Sequence, residues 1–323
     1  MKIVIFGLGN HFLKYENRLM QEYEIEYIVD NNPTKWGKYK GIPVGSILEL
    51  KHFEYGFILV TPFEYIDIIN QIYRFNEHSK VALLKDINPP CNAWEALDLI
   101  LSEYNFDTVL DIGCGEGLQS RIMLEHGKTV TSIDKGGSIY FKDNENKSRV
   151  LVGDFNELKL HEKYDCIWCS HLLEHQLNVH DFLIKIHDCL IENGILAITV
   201  PPIDNVICGG HLTYWNAGIL LYNLILAGFD CCSARVGKYG YNISVVLQKK
   251  SINVLGELHY DAGDVELLHK YFPASTKFTK TNNDMIFDGN MQNIEWPTPR
   301  YKIEIIDDNI DKNCLVTVRK GYV

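Results

Sequence analysis

Residues 109–117 read VLDIGCGEG, an apolar run that ends in an acid and then places glycine at 113, 115 and 117. That pattern leaves few folds open. A short apolar run closed by a glycine turn reads as a strand, and the LQSRIMLEHG behind it has helical spacing. Glycine permits the tight turn and lets a ligand approach backbone where a Cβ would collide. The following helix presents unpaired N–H groups in its first turn. Strand, glycine turn and helix in that order open a β/α unit whose ligands bind at the carboxyl end of the strand.

The same rhythm runs through most of the chain. Between 91 and 250 the strand candidates are TVLDIG, TVTSID, RVLVGD, YDCIWCS, GILAITV, SARVG and ISVVLQK, with helical stretches between the first five. WNAGILLYNLILAGF precedes the last pair, which have no helix between them and predict a hairpin at the sheet edge. Residues 1–88 repeat the alternation on a smaller scale: KIVIFG, a helix over 11–22, EYIVD, YGFILVT, a helix over 63–75 and VALLKD. They predict a small parallel sheet, ended by Pro89–Pro90, which reads as a boundary. Residues 251–323 are polar and turn-rich before two strand-like runs, KIEIID and CLVTVRK. The expected fold class is therefore α/β. A small Rossmann-like β/α domain over 1–88 precedes a seven-stranded Rossmann-like sheet over 91–250, and a β-containing extension follows over 251–323. With 323 residues, more than one domain is the prior.

Composition excludes several roles. A hydrophobic share of 46% and a charged share of 23% are those of a soluble globular protein. The formal net charge of −11, with basic residues scattered, argues against a DNA or RNA groove. MKIVIFGLGN lacks the parts of a signal peptide, and the apolar runs fall short of a membrane span. The expectation is a cytoplasmic protein without membrane insertion. Nine cysteines, at 91, 114, 166, 169, 189, 208, 231, 232 and 314, show no framework spacing. The CxxC of Cys166 and Cys169 lies inside an apolar strand-like run, so these read as reduced core thiols.

The acids around the glycine loop narrow the ligand. Asp111, two residues before Gly113, suits a ligand bearing an ammonium group and is badly suited to a pyrophosphate. Seventeen residues after Gly117 the next strand ends in Asp134, placed to accept hydrogen bonds from a ribose diol. The third strand ends in Gly153–Asp154–Phe155, an acid and an aromatic suited to an adenine. The loop, the two later acids, the strand order and the closing hairpin resemble the class I S-adenosylmethionine-dependent methyltransferases over roughly half of the chain. The resemblance implies S-adenosyl-L-methionine as cofactor. Asp111 and the backbone at Gly113, Cys114, Gly115 and Gly117 would hold its methionine part. Asp134 with Lys135 would take the ribose, Asp154 and Phe155 the adenine, and Ser170 would lie beside the cofactor at the end of the fourth strand.

SHLLEH (170–175) follows the fourth strand and GGHLTYWN (209–216) the fifth, so both fall at the carboxyl edge. If a helix begins at SHLLEH, His171 and His175 share one face. Three readings stand. LEH can simply cap the strand. His211 or His175, with His171 and Glu174 nearby, can act as general base toward a substrate hydroxyl, since imidazole titrates near neutral pH. Or His171, Glu174, His175 and His211 can bind a divalent metal. That last set resembles the ExxEH-plus-histidine arrangement of RNA 3′-terminal 2′-O-methyltransferases, with His171 in place of the first glutamate. The leading reading uses a histidine base and no metal. Tyr214 and Trp215 would line an acceptor pocket, and their faces suit a sugar.

In residues 1–88, Gly7 and Gly9 form a GxG turn after the first strand, and Asp30 ends the second at the distance a ribose-binding acid requires. Phe12 stands where a dinucleotide pattern wants its third glycine, which weakens an NAD site and an oxidoreductase reading. DNNPTKWGKYKGIPV resembles the N-terminal domain of bacterial sugar O- and N-acyltransferases, which grips a nucleotide-sugar. That implies a nucleotide or phosphate site at Gly7, Gly9, Asp30 and Asn31; a structural or homodimerising unit is the alternative. Together these readings predict an O-methyltransferase acting on a sugar or nucleotide-activated sugar in bacterial surface polysaccharide synthesis. The runner-up is a methyltransferase for another small molecule, at O or N.

Overall fold

YDCIWCS is apolar at consecutive positions, and a strand with that pattern must be covered on both faces. In the computed structural model this is β10 (Tyr164–Ser170). Cys166 and Trp168 join one core layer with Leu97, Ile100 and Val246. Ile167 and Cys169 join the opposite layer with Phe182, Leu183 and Ile186. Each fully buried large side chain contributes roughly 1.5–3 kcal/mol, and the thiols are free and pushed up by burial. The structure describes residues 1–86, 91–139, 141, 149–204, 206–253, 258–282, 284–299 and 301–306.

The chain divides into two compact units, Met1–Asn88 with Thr298–Val323, and Pro89–Pro297. In the second unit the strands are β7 (Thr108–Ile112), β8 (Thr129–Asp134), β9 (Arg149–Val152), β10, β11 (Leu190–Val200), β12 (Arg235–Tyr239) and β13 (Asn242–Gln248). Helix α3 (Trp94–Glu103) precedes them, while α4 (Leu118–Glu125), α5 (Val179–Cys189) and α6 (Ala217–Leu226) lie between them in sequence; residues 153–163, where a helical stretch was expected, form a turn and irregular chain instead. The sheet order is β12-β13-β11-β10-β7-β8-β9. All pairs are parallel except β11 with β13 and β12 with β13. The expected seven strands and edge hairpin are in place, and the order reverses beside β7, between β8 and β10.

In the first unit, β1 (Lys2–Phe6), β2 (Glu24–Val29), β3 (Gly37–Tyr39), β4 (Ile42–Gly45), β5 (Phe57–Val60), β6 (Val81–Asp86) and β16 (Tyr301–Ile305) form a second sheet in the order β16-β6-β5-β1-β2-β4-β3. Helices α1 (Asn10–Glu22) and α2 (Ile66–Phe75) follow β1 and β5. The core strands pair in parallel, while β3 and β16 are antiparallel additions.

The β-containing extension expected over 251–323 is divided between the two units. Among the described residues, α7 (Asp264–Leu268) and the β14 (Phe278–Lys280)–β15 (Met285–Phe287) hairpin pack in the second unit, with Phe272, Phe278 and Phe287 in mutual ring contact. Ile294 bridges to Val236 of edge strand β12, and Trp296 stacks on Tyr239 at 5.7 Å. KIEIID becomes β16 and pairs with β6 of the other sheet, Ile303 opposite Leu84. The physical reason is that β12 and β6 each offer an open row of backbone groups, which a following segment can cover. CLVTVRK, Cys314 and Pro89–Pro90 lie outside the described residues. No helix among the described residues is long and apolar enough to cross a membrane.

Candidate functional site

In an open α/β sheet, ligands bind outside the carboxyl ends of the strands where the order reverses. At the end of β7, Gly113, Gly115 and Gly117 have φ of +79°, +53° and +72°, a left-handed backbone that suits glycine. A Cβ on Gly113 would also come within 2.9 Å of Leu172. The loop is pinned to β8, because Gly113 N and Cys114 N both donate to Ile133 O, at 2.8 and 3.1 Å. Asp134 closes it from the next strand: its Oδ2 accepts from Gly115 N at 3.0 Å and its Oδ1 from Gly136 N at 2.9 Å. Lys135 Nζ lies 2.7 Å from Asp154 Oδ2, and Asp154 Oδ1 accepts from Asn156 N at 2.9 Å. Burial works to raise the Asp154 carboxyl, but Lys135 and Asn156 prevail and hold it below the usual range. Ser170 Oγ, at the end of β10, is buried without a hydrogen-bond partner among the described residues.

Two expected cofactor contacts take a different form. Asp111 is 2% exposed and its Oδ2 accepts from Ser120 Oγ at 2.5 Å, with Ser132 Oγ 2.8 Å beyond. Burial, moderated by Ser120 and reinforced by Asp134, pushes its carboxyl up to about 7. Its described hydrogen bond ties β7 to α4, and the carboxyl is buried rather than open to an ammonium group. Phe155 is buried edge-to-face against Phe182, ring centroids 5.3 Å apart, with the Lys185 ammonium 4.9 Å from its ring. Its ring belongs to the core, where apolar burial outweighs any gain at an exposed adenine face. Cys114 is buried and its thiol is raised to about 12 by burial first, then by Asp111 and Asp134, so it offers no thiolate.

Past β10 the chain does not start the helix that would set His171 and His175 on one face. His171 is left-handed (φ +53°), its N–H donates to Thr199 O at 2.9 Å, and a single 3₁₀ turn spans Leu173–His175. The two histidines instead flank Glu174: His171 Nδ1 is 3.5 Å and His175 Nε2 3.8 Å from its Oε1. Glu174 is 0% exposed, and neither carboxylate oxygen has a hydrogen-bond partner among the described residues. Its backbone O accepts from Leu212 N and Thr213 N at 2.7 and 3.3 Å, which docks the GGHLTYWN loop onto the LEH turn. That docking brings the rings of His175 and His211 to 4.9 Å, edge to face.

The other nitrogens are assigned by their partners. His175 Nδ1 lies 2.7 Å from Gly210 O, an acceptor, so Nδ1 carries the proton and Nε2 faces Glu174. His171 Nε2 lies 2.9 Å from Asn242 Oδ1. Burial pulls the His171 imidazole down, but Glu174 and Asn242 overcome it and leave it raised. Glu174, His175 and His211 each offer one ligand atom, all within 4.8 Å of one another, so this trio could hold a metal ion. The Nδ1–H of His175 bound to a carbonyl is the outer contact that metal-binding histidines commonly make.

Tyr214 is 38% exposed, but Trp215 is 2% exposed with its Nε1 donating to Thr213 Oγ1 at 2.9 Å. Trp215 is a core residue and gives a sugar no face. Sequence reasoning passed over Asn242, Tyr241 and Ser120. Tyr241 stacks over His171 (6.1 Å, 12°), and its Oη lies 3.9 Å from Cys208 Sγ. The signal was indirect: a closing hairpin antiparallel to β11, with Ile243 opposite Val200, must turn at the carboxyl edge.

In the first unit, Gly7 has φ +107° and a Cβ there would fall 2.6 Å from Pro62 Cγ; Gly9 caps α1. Asp30 Oδ2 accepts from Leu8 N at 2.8 Å and meets Lys35 Nζ at 3.1 Å, while Oδ1 accepts from Asn32 N at 2.9 Å. Asn31 exchanges two amide hydrogen bonds with Gln71, 3.0 and 3.1 Å. Asp30 thus ties its loop to the turn after β1, and Asn31 ties the same loop to α2.

Residues 70–218 match a family model described as Methyltransferase domain. That part of the chain is similar to methyltransferase domains, and its sheet has the seven strands and closing antiparallel hairpin expected from the sequence. Over 134 residues it is 31% identical to a ubiquinone biosynthesis O-methyltransferase of Rickettsia canadensis, covering 39% of this chain and 56% of that protein. The Rickettsia felis enzyme of the same name is 30% identical over 134 residues, 39% and 54% of the two chains. The chain spans about half the length of these curated relatives. Among solved structures, a 1,6-didemethyltoxoflavin-N1-methyltransferase of Burkholderia thailandensis is similar at 21% identity and a TM-score of 0.41, over 49% of this chain and 77% of that one. Residues 1–81 match a model described as C2185-like, N-terminal.

The second unit has residues that would fit S-adenosylmethionine. Three left-handed glycines open the backbone at the end of β7, Asp134 and Asp154 stand at the next two strand ends, and Ser170 Oγ is an orphaned polar atom at the fourth.

Proposed function

We propose that the chain is an S-adenosylmethionine-dependent O-methyltransferase for a small-molecule hydroxyl, with His211 as the base. One observation carries the reading: the glycine turn and the Glu174–His175–His211 group stand at the carboxyl ends of β7, β10 and β11, neighbours in one sheet. When bound, the cofactor supplies a methyl group already activated on a sulfonium. The chain has to orient the acceptor oxygen and take its proton. The His211 ring makes no hydrogen bond among the described residues, so a nitrogen is free to accept. His211 would take the proton of the acceptor hydroxyl as that oxygen is methylated. The buried Glu174 carboxylate favours the positive charge gathered by the neighbouring histidines.

For the acceptor, the sugar or nucleotide-sugar reading keeps the exposed ring of Tyr214 and the resemblance carried by DNNPTKWGKYKGIPV, and loses Trp215. A second reading, an acceptor with an apolar or aromatic body, draws on Ile203, Ile207 and Leu212, which are exposed large apolar residues in the loop that carries His211. It also draws on the ubiquinone-pathway name of the relatives. A screen of nucleotide-sugars, sugar phosphates and hydroxylated aromatics, read by S-adenosylhomocysteine release, separates the two. Release with no O-methylated product from any hydroxyl compound, and methylation of amines instead, would overturn the O-methyl assignment.

A metal-assisted form of the same reaction is favoured by the two unpartnered Glu174 oxygens. Glu174, His175 and His211 would hold a divalent ion that polarises the acceptor hydroxyl.

A further inference from the structure

We infer that Asn242, the first residue of β13, is a positioning residue for the proposed reaction: it fixes His171 with Nε2–H toward the hairpin and Nδ1 toward Glu174. The inference rests on the functional reading above for its catalytic consequence, but its geometric core stands apart from it.

An asparagine amide can usually be drawn either way round. Here the backbone decides. The Nδ2 of Asn242 lies 3.1 Å from Tyr239 O, which can only accept, and the opposite end lies 3.3 Å from Ala93 N, which can only donate. Oδ1 is therefore the atom facing His171, and the ring nitrogen 2.9 Å away, Nε2, must carry a proton. The ring has little freedom to answer differently. Its backbone N–H is tied to Thr199 O, its main chain is left-handed, and Tyr241 lies parallel to its face. With Nε2 committed, Nδ1 is the nitrogen presented to Glu174 Oε1 at 3.5 Å.

This matters because the Glu174 side chain accepts no hydrogen bond among the described residues, so the histidines beside it set what it meets. The same residue's backbone oxygen anchors the loop that delivers His211. Asn242 thus links the closing hairpin to the residue on which both histidine loops converge, without touching either substrate.

The test compares Asn242→Leu, which removes the acceptor at similar size, with Asn242→Asp, which keeps one. Imidazole ¹⁵N–¹H correlation spectra, assigned by loss of the signal in His171→Gln, report which nitrogen is protonated at one fixed pH. Wild type and Asn242→Asp should show His171 with Nε2–H; Asn242→Leu should lose that signal. Turnover should fall about tenfold in Asn242→Leu, the scale of one lost hydrogen bond, with the affinity for S-adenosylhomocysteine within about twofold. Asn242→Asp should recover most of that turnover. A wild-type His171 protonated at Nδ1 alone would overturn the inference even if Asn242→Leu fails to fold. So would equal loss of turnover in both variants, which is what a purely structural role for the hairpin predicts. The spectra test Asn242 even if no methyl transfer is found, so the two failures can be told apart.

Discussion

The rings of His175 and His211 meet edge to face with centroids 4.9 Å apart, although 35 residues and a whole β/α crossover separate them in sequence. Each has a different task in the proposed reaction. His175 is oriented by Gly210 O, while the His211 ring makes no hydrogen bond among the described residues. His211→Ala should therefore lower turnover by about 10²–10⁴-fold, the range for losing a general base. Binding of S-adenosylhomocysteine, measured by calorimetry, should stay close to wild type. Full activity in the variant would remove His211 from the chemistry.

Asp111 gives the fold a pH signature. An unfolded carboxyl of this kind titrates near 3.8 and the folded one at about 7. Between those values the folded state holds a proton that the unfolded state has released, so this group's contribution to stability falls as pH rises through the window. Asn at this position resembles the protonated carboxyl at every pH. Asp111→Asn should therefore gain on wild type as pH rises from about 4 to about 7, read as urea midpoints. A difference between the two proteins that does not change with pH would contradict the burial argument.

Asp134 and Phe155 should separate cleanly. Asp134→Ala should weaken S-adenosylhomocysteine binding by about tenfold or more, through loss of a ribose acceptor and of the bracket on Gly115 N. Phe155→Ala should cost about 3–5 kcal/mol of stability, as for other buried aromatics. An unchanged affinity in Asp134→Ala would show that the ribose lies elsewhere. A fully stable Phe155→Ala would mean its ring is not part of the core.

The metal-assisted form is decided by removal. If a histidine base suffices, dialysis against a strong chelator leaves turnover unchanged, and elemental analysis finds no stoichiometric metal ion. Loss of activity that returns with a divalent ion would instead assign Glu174, His175 and His211 as ligands.

Much of the cofactor edge was legible because its signals are local. Glycines at 113, 115 and 117 demand an unusual backbone, and acids at strand ends fall at readable spacings. Side-chain direction was less legible. Asp154 and Phe155 are adjacent, yet one meets Lys135 while the other packs on Phe182, a choice made by α5. Tyr214 and Trp215 divide in the same way between surface and core. Asn242 carries no motif, and only the antiparallel register of β13 brings it to His171. The tail was least legible, since pairing of Ile303 with Leu84 joins residues more than 200 positions apart.

The central claim is tested most directly by calorimetric titration of the full chain with S-adenosylmethionine, S-adenosylhomocysteine and NAD. The account predicts saturable binding of both methyl-cycle ligands at one site per chain, weakened in Asp134→Ala, and no comparable binding of NAD. Binding of NAD with neither methyl-cycle ligand taken up would contradict it.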